Sequence, residues 1–195
     1  DLLPSSIALW KVSEIARCAE TADLLMRTHA KNHDSAVPAA AVMGEFSEVD
    51  YGDWSGRPLE ELRRLPEWER VQNTPQDMVF PGGEAQCDAW LRTRRGVEKV
   101  LDELRERNSE AVAVVVTHGD IIKMAVADAL GLQLQNFQRT AVAPGSLTTI
   151  DYASRVPVLT ALSVTPAGRT GQAGTLGGGA SVSYTHLRAH ETLRY

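Results

Sequence analysis

The chain has 195 residues, of which 43% are hydrophobic and 23% charged, a composition typical of a globular domain with one sizeable core. Its formal net charge of −5 argues against general binding to nucleic acids or anionic membranes. No apolar run approaches the roughly 20 residues of a transmembrane helix, and no cluster of Cys and His predicts a metal site.

Both ends of the chain have unusual sequences. The chain starts with Asp1 instead of Met and shows no signal peptide, so the natural start of the protein need not be present. Residues 167–181 are rich in Gly, Thr and Ala and are predicted to form a flexible tail. Residues 182–195 resemble a translated sequencing adapter, with a docked amphipathic helix as the alternative. We therefore expect one domain over residues 1–166.

Strand and helix patterns alternate along the first half of the chain. Ser13 is the predicted N-cap of the first helix, and Pro66 is expected to interrupt the second helical segment. The predicted elements are, in chain order, a strand over residues 7–12, a helix over 15–29, a loop-rich stretch over 43–56, a helical segment over 58–71, a turn over 80–84 and a long amphipathic helix to about residue 107.

The second half continues the alternation. Residues 111–116 (AVAVVV) form a continuous apolar run, which predicts a strand buried on both faces of a parallel sheet. An apolar helix over 121–130, closed by Gly131, precedes two late strands over 146–152 and 156–164. The pattern predicts an α/β domain with a largely parallel sheet.

Four residues with reactive side chains are predicted to have no part in the functional site. Cys18 and Cys87 fall on the apolar faces of predicted helices, so both are expected to be buried thiols in a reduced cytoplasm. His29 and His33 lie at a helix end and in a polar loop, and both are predicted to be surface residues.

The segment VAVVVTHGD, residues 112–120, carries the strongest functional signal. It places His118 and Gly119 at the turn from a buried strand to a helix. Ligands of open α/β sheets bind beyond the carboxyl ends of the strands, and the free N–H groups of a helix N-terminus favour anions. His118 is therefore predicted to lie at an anion site, with a purely structural histidine as the alternative.

A second strand-to-helix turn lies in WKVSEIARCAETA, residues 10–22. It puts Arg17 in the first helical turn, where a cation is unfavourable unless an anion is bound. A guanidinium matches phosphate geometry, so Arg17 is a second candidate for the same site. The alternative is a solvent-exposed arginine or one paired with Glu20.

The loop GEFSEVDYGDWSG, residues 44–56, is a candidate source of a catalytic carboxyl group. A carboxyl group beside a bound phosphate can act as general acid and base. The residues alone do not select one of its four acids, and a solvated acidic loop held by Tyr51 and Trp54 is the alternative. The four are Glu45, Glu48, Asp50 and Asp53.

Four short motifs in this order resemble the histidine phosphatase superfamily, especially small bacterial proteins of the phosphoglycerate mutase family. The resemblance covers about residues 7–164 and implies a three-layer α/β/α sandwich with a largely parallel sheet. The motifs are RCxxTA (residues 17–22), ExDYGDWxG (48–56), FPGGE (80–84) and VVTHGD (115–120).

The resemblance implies a role for each matched residue. Arg17 and His118 would bind the phosphoryl oxygens, and Glu48 would protonate the leaving group. The backbone around Gly119 and Asp120 would add N–H donors. The family needs no metal or other cofactor, so the implied partner is a small phosphomonoester, with no nucleic acid or membrane and no prediction for the oligomeric state.

The sequence departs from the family pattern at two points. The family's nucleophilic histidine lies in an Arg-His-Gly motif after the first strand, and that motif is absent here. We therefore expect a truncated front end, a missing first strand and an inactive, marginally stable fragment. Glu14 occupies a position at which relatives often have proline.

The sequence is compatible with more than one functional class. A phosphatase is favoured over a mutase, because only a modest insertion separates Glu48 from the long helix. A non-catalytic phosphate-binding module is the alternative from another class. A nucleotide-binding protein would need a glycine-rich loop such as GxGxxG, which the sequence lacks.

Overall fold

The computed structural model describes residues 3–34, 36–107 and 111–165, so the predicted tail and adapter lie outside the described residues. None of its helices combines the length and apolar character needed to cross a membrane. The elements are β1 (Leu9–Val12), α1 (Ala16–His33), β2 (Ala41–Val42), α2 (Leu59–Leu62), α3 (Glu67–Asn73), α4 (Gln86–Arg105), β3 (Ala113–Val116), α5 (Gly119–Ala129), β4 (Leu147–Asp151) and β5 (Val158–Val164).

A parallel sheet in the order β2-β1-β3 positions the functional loops. In its register Val12 lies opposite both Val42 and Val116, so the three strands end at one level. The segments that follow them therefore meet at one edge. The mixed α/β fold with a parallel sheet is confirmed, while a missing first strand stays a prediction.

The prediction that β3 is buried on both faces was wrong. Only Val116 is buried, and Ala113, Val114 and Val115 are partly exposed. Within the described ranges β3 pairs with β1 along one edge and with no strand along the other, so fewer side chains cover it. The late strands β4 and β5 form a separate antiparallel pair.

Helix α1 corrects two predictions. Its N-cap is Ile15 and not Ser13, since the Ser13 hydroxyl takes part in contacts at the sheet edge described below. His29 is buried and not at the surface, because α1 continues to His33 and keeps His29 on the face that packs toward Trp10. The His29 ring lies edge-on to Trp10, with the ring centroids 6.0 Å apart.

Helix α4 buries mainly small residues, and its larger apolar side chains, such as Trp90, pack against the core only partly buried. Cys87, predicted to be buried, is exposed, and so is Leu91. The small residues let the helix approach closely, since a Cβ on Gly96 would lie 3.0 Å from the Phe46 ring. Larger side chains therefore flank the contact. The buried residues of α4 are Gln86, Ala89, Thr93, Gly96 and Val100.

Proline and glycine act as the sequence predicted between β2 and α4. Pro66 separates α2 from α3 and is the N-cap of α3, which confirms the interruption. Residues 80–84 form the expected turn, closed by a bridge between Val79 and Ala85.

That turn docks backbone to backbone against the loop that carries Glu48. Asp53 N–H donates to Pro81 O at 2.8 Å, and Glu84 N–H donates to Asp50 O at 3.0 Å. Gly52 has φ +50°, and a Cβ there would lie 2.2 Å from Pro81 O. Neither chain leaves room for a side chain at this contact, so the glycines of both motifs serve the same junction.

A comparison of alanine substitutions at Gly52 and Gly56 should distinguish a steric clash from the strain of a positive φ alone. We expect Gly52→Ala to lower the free energy of unfolding by about 3 kcal/mol, because strain and a backbone collision add. Gly56 also has positive φ, +76°, but a Cβ there meets nothing within 4 Å. Gly56→Ala should cost only about 1 kcal/mol. Urea unfolding of both variants measures the difference, and equal losses would contradict the docking.

Candidate active site

The three predicted side chains come together at the carboxyl edge of the sheet. Arg17 Nη2 lies 2.9 Å from His118 Nδ1 and 3.6 Å from Glu48 Oε2. Glu48 Oε2 lies 3.7 Å from the same nitrogen of His118. Arg17 lies in the first turn of α1, the helix that follows β1. His118 lies in the turn after β3, and the loop after β2 supplies Glu48. Their catalytic roles stay predictions.

His118 is neutral and held in one tautomer by its neighbours. Arginine can only donate, so Nδ1 accepts from Arg17 and the ring proton lies on Nε2. Nε2 then donates to Ser13 Oγ at 2.8 Å, and this oxygen also accepts the Ile15 N–H at 3.3 Å. Ser13, assigned as a helix cap from sequence, therefore orients the histidine.

Burial and charge disfavour the imidazolium form of His118. Desolvation, then the positive charges of Arg17 and Arg92, lower the pKa of His118 from 6.5 to about 4. Since the ring is uncharged, its 3.7 Å approach to Glu48 is a contact and not an ion pair. A bound dianion would oppose the two arginines and raise this pKa again.

The pKa of Glu48 is shifted in the direction expected of a proton donor. Burial, followed by the negative charge of Asp120, raises the pKa of Glu48 from 4.5 to about 7. A backbone hydrogen bond from Val49 and the nearby Arg17 and Lys123 oppose that rise without cancelling it. A carboxyl group with such a pKa exchanges protons near neutral pH.

Gly119 and Asp120 were both predicted to contact phosphate. In the structure their backbone N–H groups can still do so, whereas the Asp120 side chain already has partners inside the protein. The buried Asp120 carboxylate accepts from Tyr51 Oη at 3.0 Å and pairs with Lys123 Nζ at 3.1 Å. Its side chain is thus occupied inside the protein. The first-turn N–H groups of α5, which include those of Gly119 and Asp120, have no acceptor within the helix and remain candidate donors.

Arg92 is a functional candidate that the sequence did not reveal. Its guanidinium pairs with Glu84 at 2.6 Å and 3.1 Å. It also donates to the carbonyls of Glu45, Ser47 and Glu48 at 3.0, 2.7 and 3.0 Å. Arg92 therefore fixes the backbone on both sides of Ser47. No spacing signal could have shown it, since α4 carries several arginines and only the fold selects this one.

Cys18 lies beside the catalytic candidates. It is buried as predicted, and its Sγ is 3.5 Å from His118 Nε2. Desolvation raises the pKa of this thiol. In the described part of the chain, no group of three or more His, Cys, Asp or Glu side chains has a geometry suited to a metal ion.

Comparison with protein families decides the classification. The model of the histidine phosphatase superfamily, branch 1, matches residues 4–165. The chain belongs to this superfamily. The family match spans every strand and helix described above.

The sequence identity to individual relatives is low. Phosphoserine phosphatase 1 of Hydrogenobacter thermophilus is 30% identical over 120 residues, which are 60% of this chain and 55% of that enzyme. The alignment therefore spans about half of the relative's length.

Two solved structures show the same fold at low identity. The α-ribazole phosphatase of Shigella flexneri superposes with a TM-score of 0.66 and 22% identity, covering 81% of this chain and 74% of that one. A mycobacterial glucosyl-3-phosphoglycerate phosphatase, solved with inorganic phosphate, has a TM-score of 0.66 and 19% identity, with coverage of 83% and 79%.

Arg92 should be far more important to stability than a neighbouring arginine. We expect Arg92→Ala to lower the free energy of unfolding by about 3 kcal/mol, because it leaves the charge of Glu84 without its cationic partner and removes the donor to three carbonyls. Arg94, which is 55% exposed and pairs with Glu98, is the matched control. Arg94→Ala should cost less than about 0.5 kcal/mol by the same denaturant measurement. Similar losses would mean that Arg92 is not a clamp.

The raised pKa of Glu48 predicts a pH-dependent cost to folding. Between pH 4.5, where the unfolded carboxyl titrates, and about 7, the folded protein keeps a proton that the unfolded chain releases. Stability is therefore lost as pH rises through this window. Glu48→Gln lacks that loss, so relative to wild type it should gain on the order of 2–3 kcal/mol between about pH 4 and pH 8.

Glu45, a carboxyl group in the same loop, should change the stability with pH in the opposite direction. The hydrogen bond from Lys99 lowers the pKa of Glu45, so its contribution is present above pH 4.5 and lost at lower pH. Relative to wild type, Glu45→Gln should lose stability as pH rises. His118 weakens the fold as pH falls from 6.5 toward about 4, but in every variant alike. The measurement is a set of unfolding curves between about pH 4 and pH 8 in phosphate-free buffer. The same pH dependence in Glu48→Gln and Glu45→Gln would refute the opposite pKa shifts of the two carboxyl groups.

Proposed function

We propose that the whole protein hydrolyses small phosphomonoesters through a phosphohistidine intermediate. The observation that supports it most is the grouping of Arg17, His118 and Glu48 at the N-terminus of α5. Hydrolysis is favoured over mutase-type phosphotransfer, because the insertion between Glu48 and α4 is modest.

The phosphoryl group would displace the direct contact between Arg17 and His118. The Arg17 side chain is 61% exposed and can turn its fork toward two phosphoryl oxygens. His118 would then present a proton from Nδ1, either by changing tautomer or by taking up a proton as the dianion raises its pKa. The N–H groups at the start of α5 would complete the pocket.

Glu48 would manage the proton of the leaving group. Its pKa of about 7 keeps much of the carboxyl group protonated near neutral pH, ready to donate to the departing oxygen. The resulting carboxylate would then accept a proton from the water that attacks phosphohistidine. Arg17 and His118 would neutralise the charge that develops on the equatorial oxygens. The proposed chemistry uses no metal or other cofactor.

A second function is proposed for the 195-residue chain itself, namely binding of phosphate without turnover. Its candidate pocket holds His118, whereas His29 and His33 pack against each other with ring centroids 4.5 Å apart, and His29 also meets Trp10. We assign the missing nucleophile to an Arg-His-Gly segment of a longer, cytoplasmic gene product, as the family resemblance implies.

Phosphate binding and turnover can be measured separately. Inorganic phosphate at about ten times its Kd should stabilise the 195-residue chain by about 1.4 kcal/mol, seen as a rise of several degrees in Tm. Arg17→Ala and His118→Ala should abolish that rise. Arg27→Ala, an exposed change on the same helix, should preserve it. Turnover of para-nitrophenyl phosphate should stay at background.

The longer protein carries the test of catalysis. There Glu48→Gln should lower kcat on the same aryl phosphate by about 10²- to 10⁴-fold. If neither Glu48→Gln nor His118→Ala lowered turnover, the site assignment would fail. Clear turnover by the 195-residue chain would instead disprove the assignment of the nucleophile to a segment outside it.

A further inference from the structure

Glu14 is a carboxylate on the rim of the proposed phosphate pocket. It lies in the turn between β1 and α1, immediately after Ser13, whose hydroxyl accepts from His118, and three positions before Arg17. Unlike Ser13, which is fully buried, Glu14 is exposed. Nothing in the proposed hydrolysis uses it.

A hydrogen bond fixes Glu14 beside the loop that carries the proposed acid. Ser47 Oγ donates to Glu14 Oε1 at 2.9 Å, and Ser47 is the residue directly before Glu48. The carbonyl of Ser47 is itself held by Arg92 at 2.7 Å. The hydrogen bond therefore places this exposed carboxylate against a loop that Arg92 holds.

The charge of Glu14 has no basic partner among the residues that the structure describes. The other carboxylates of the site have basic partners: Arg17 for Glu48, Arg92 for Glu84 and Lys99 for Glu45. In the described parts of the chain no lysine or arginine forms an ion pair with Glu14. A bare carboxylate beside a phosphate dianion weakens binding, unless the ligand carries a cation that meets it.

We propose that Glu14 selects phosphomonoesters that carry a positively charged ammonium group close to the phosphate, such as short aminoalkyl phosphates. The phosphate would occupy the Arg17–His118 pocket, and the ammonium would meet the Glu14 carboxylate at the rim. The inference rests on the proposed phosphate site and adds the chemical class of its ligand.

Two probes of nearly equal size isolate the contribution of the ammonium group. O-phosphoethanolamine carries it, and n-propyl phosphate replaces it with a methyl group. At about pH 8 both phosphates are dianions. Calorimetric titration of the 195-residue chain should give a Kd about fivefold lower for phosphoethanolamine, the value of one partly screened ion pair.

Substitution of Glu14 tests whether this residue causes the preference. Glu14→Gln keeps an acceptor for Ser47 and removes only the charge, so the two Kd values should converge while propyl phosphate binds equally well or more tightly. Glu14→Lys should reverse the preference. Glu98→Gln removes one charge beside Arg94 and Asp128, at the far end of α5 from His118, and should leave the fivefold ratio unchanged.

The possible failures are distinguishable. Equal binding of the two probes to the wild-type chain, or a preference that survives in Glu14→Gln and Glu14→Lys, would overturn the role of Glu14 and leave the phosphate site intact. Binding of neither probe would overturn the phosphate site and this inference together.

Discussion

The parallel pairing of β1 with β3 is the constraint on which the site depends. Its register sets Val12 opposite Val116, so Ser13 and the first turn of α1, which holds Arg17, lie beside the turn that holds His118. A shift by one residue would send alternate side chains to the other face of the sheet and break every contact to His118. The site is thus built from segments a hundred residues apart because two short strands end at the same level.

The pKa values of two groups at this edge are shifted in opposite directions. Burial is the leading cause for both: it keeps His118 neutral and keeps Glu48 protonated at a pH where an exposed carboxyl would be ionised. Arg17 touches both groups and provides the positive charge toward which an anion is drawn. The site therefore sets the Arg17 cation beside a neutral His118 and a Glu48 that is protonated below about pH 7, while Glu14 adds a negative charge at its rim.

The acid loop shows how the motifs of the sequence depend on one another. The glycines of the two loops meet backbone to backbone, and Arg92 joins Glu84 of one loop to the carbonyls around Ser47 in the other. Each motif looks like an independent turn in the sequence. Together they form one rigid support, which determines where Glu48 can stand.

Local rules were sufficient for much of this protein. Periodicity located the helices and the longer strands but not the two-residue strand β2, Pro66 and the glycine turn acted as expected, and strand-to-helix turns pointed to Arg17 and His118. Three features needed the tertiary structure: the burial of His29, the small-residue face of α4 that exposes Cys87, and the clamp formed by Arg92. Hydrophobic periodicity reports which residues avoid water, but not how closely two backbones approach or which of several arginines faces a loop. Those outcomes depend on contacts between distant segments, and only folding brings the segments together.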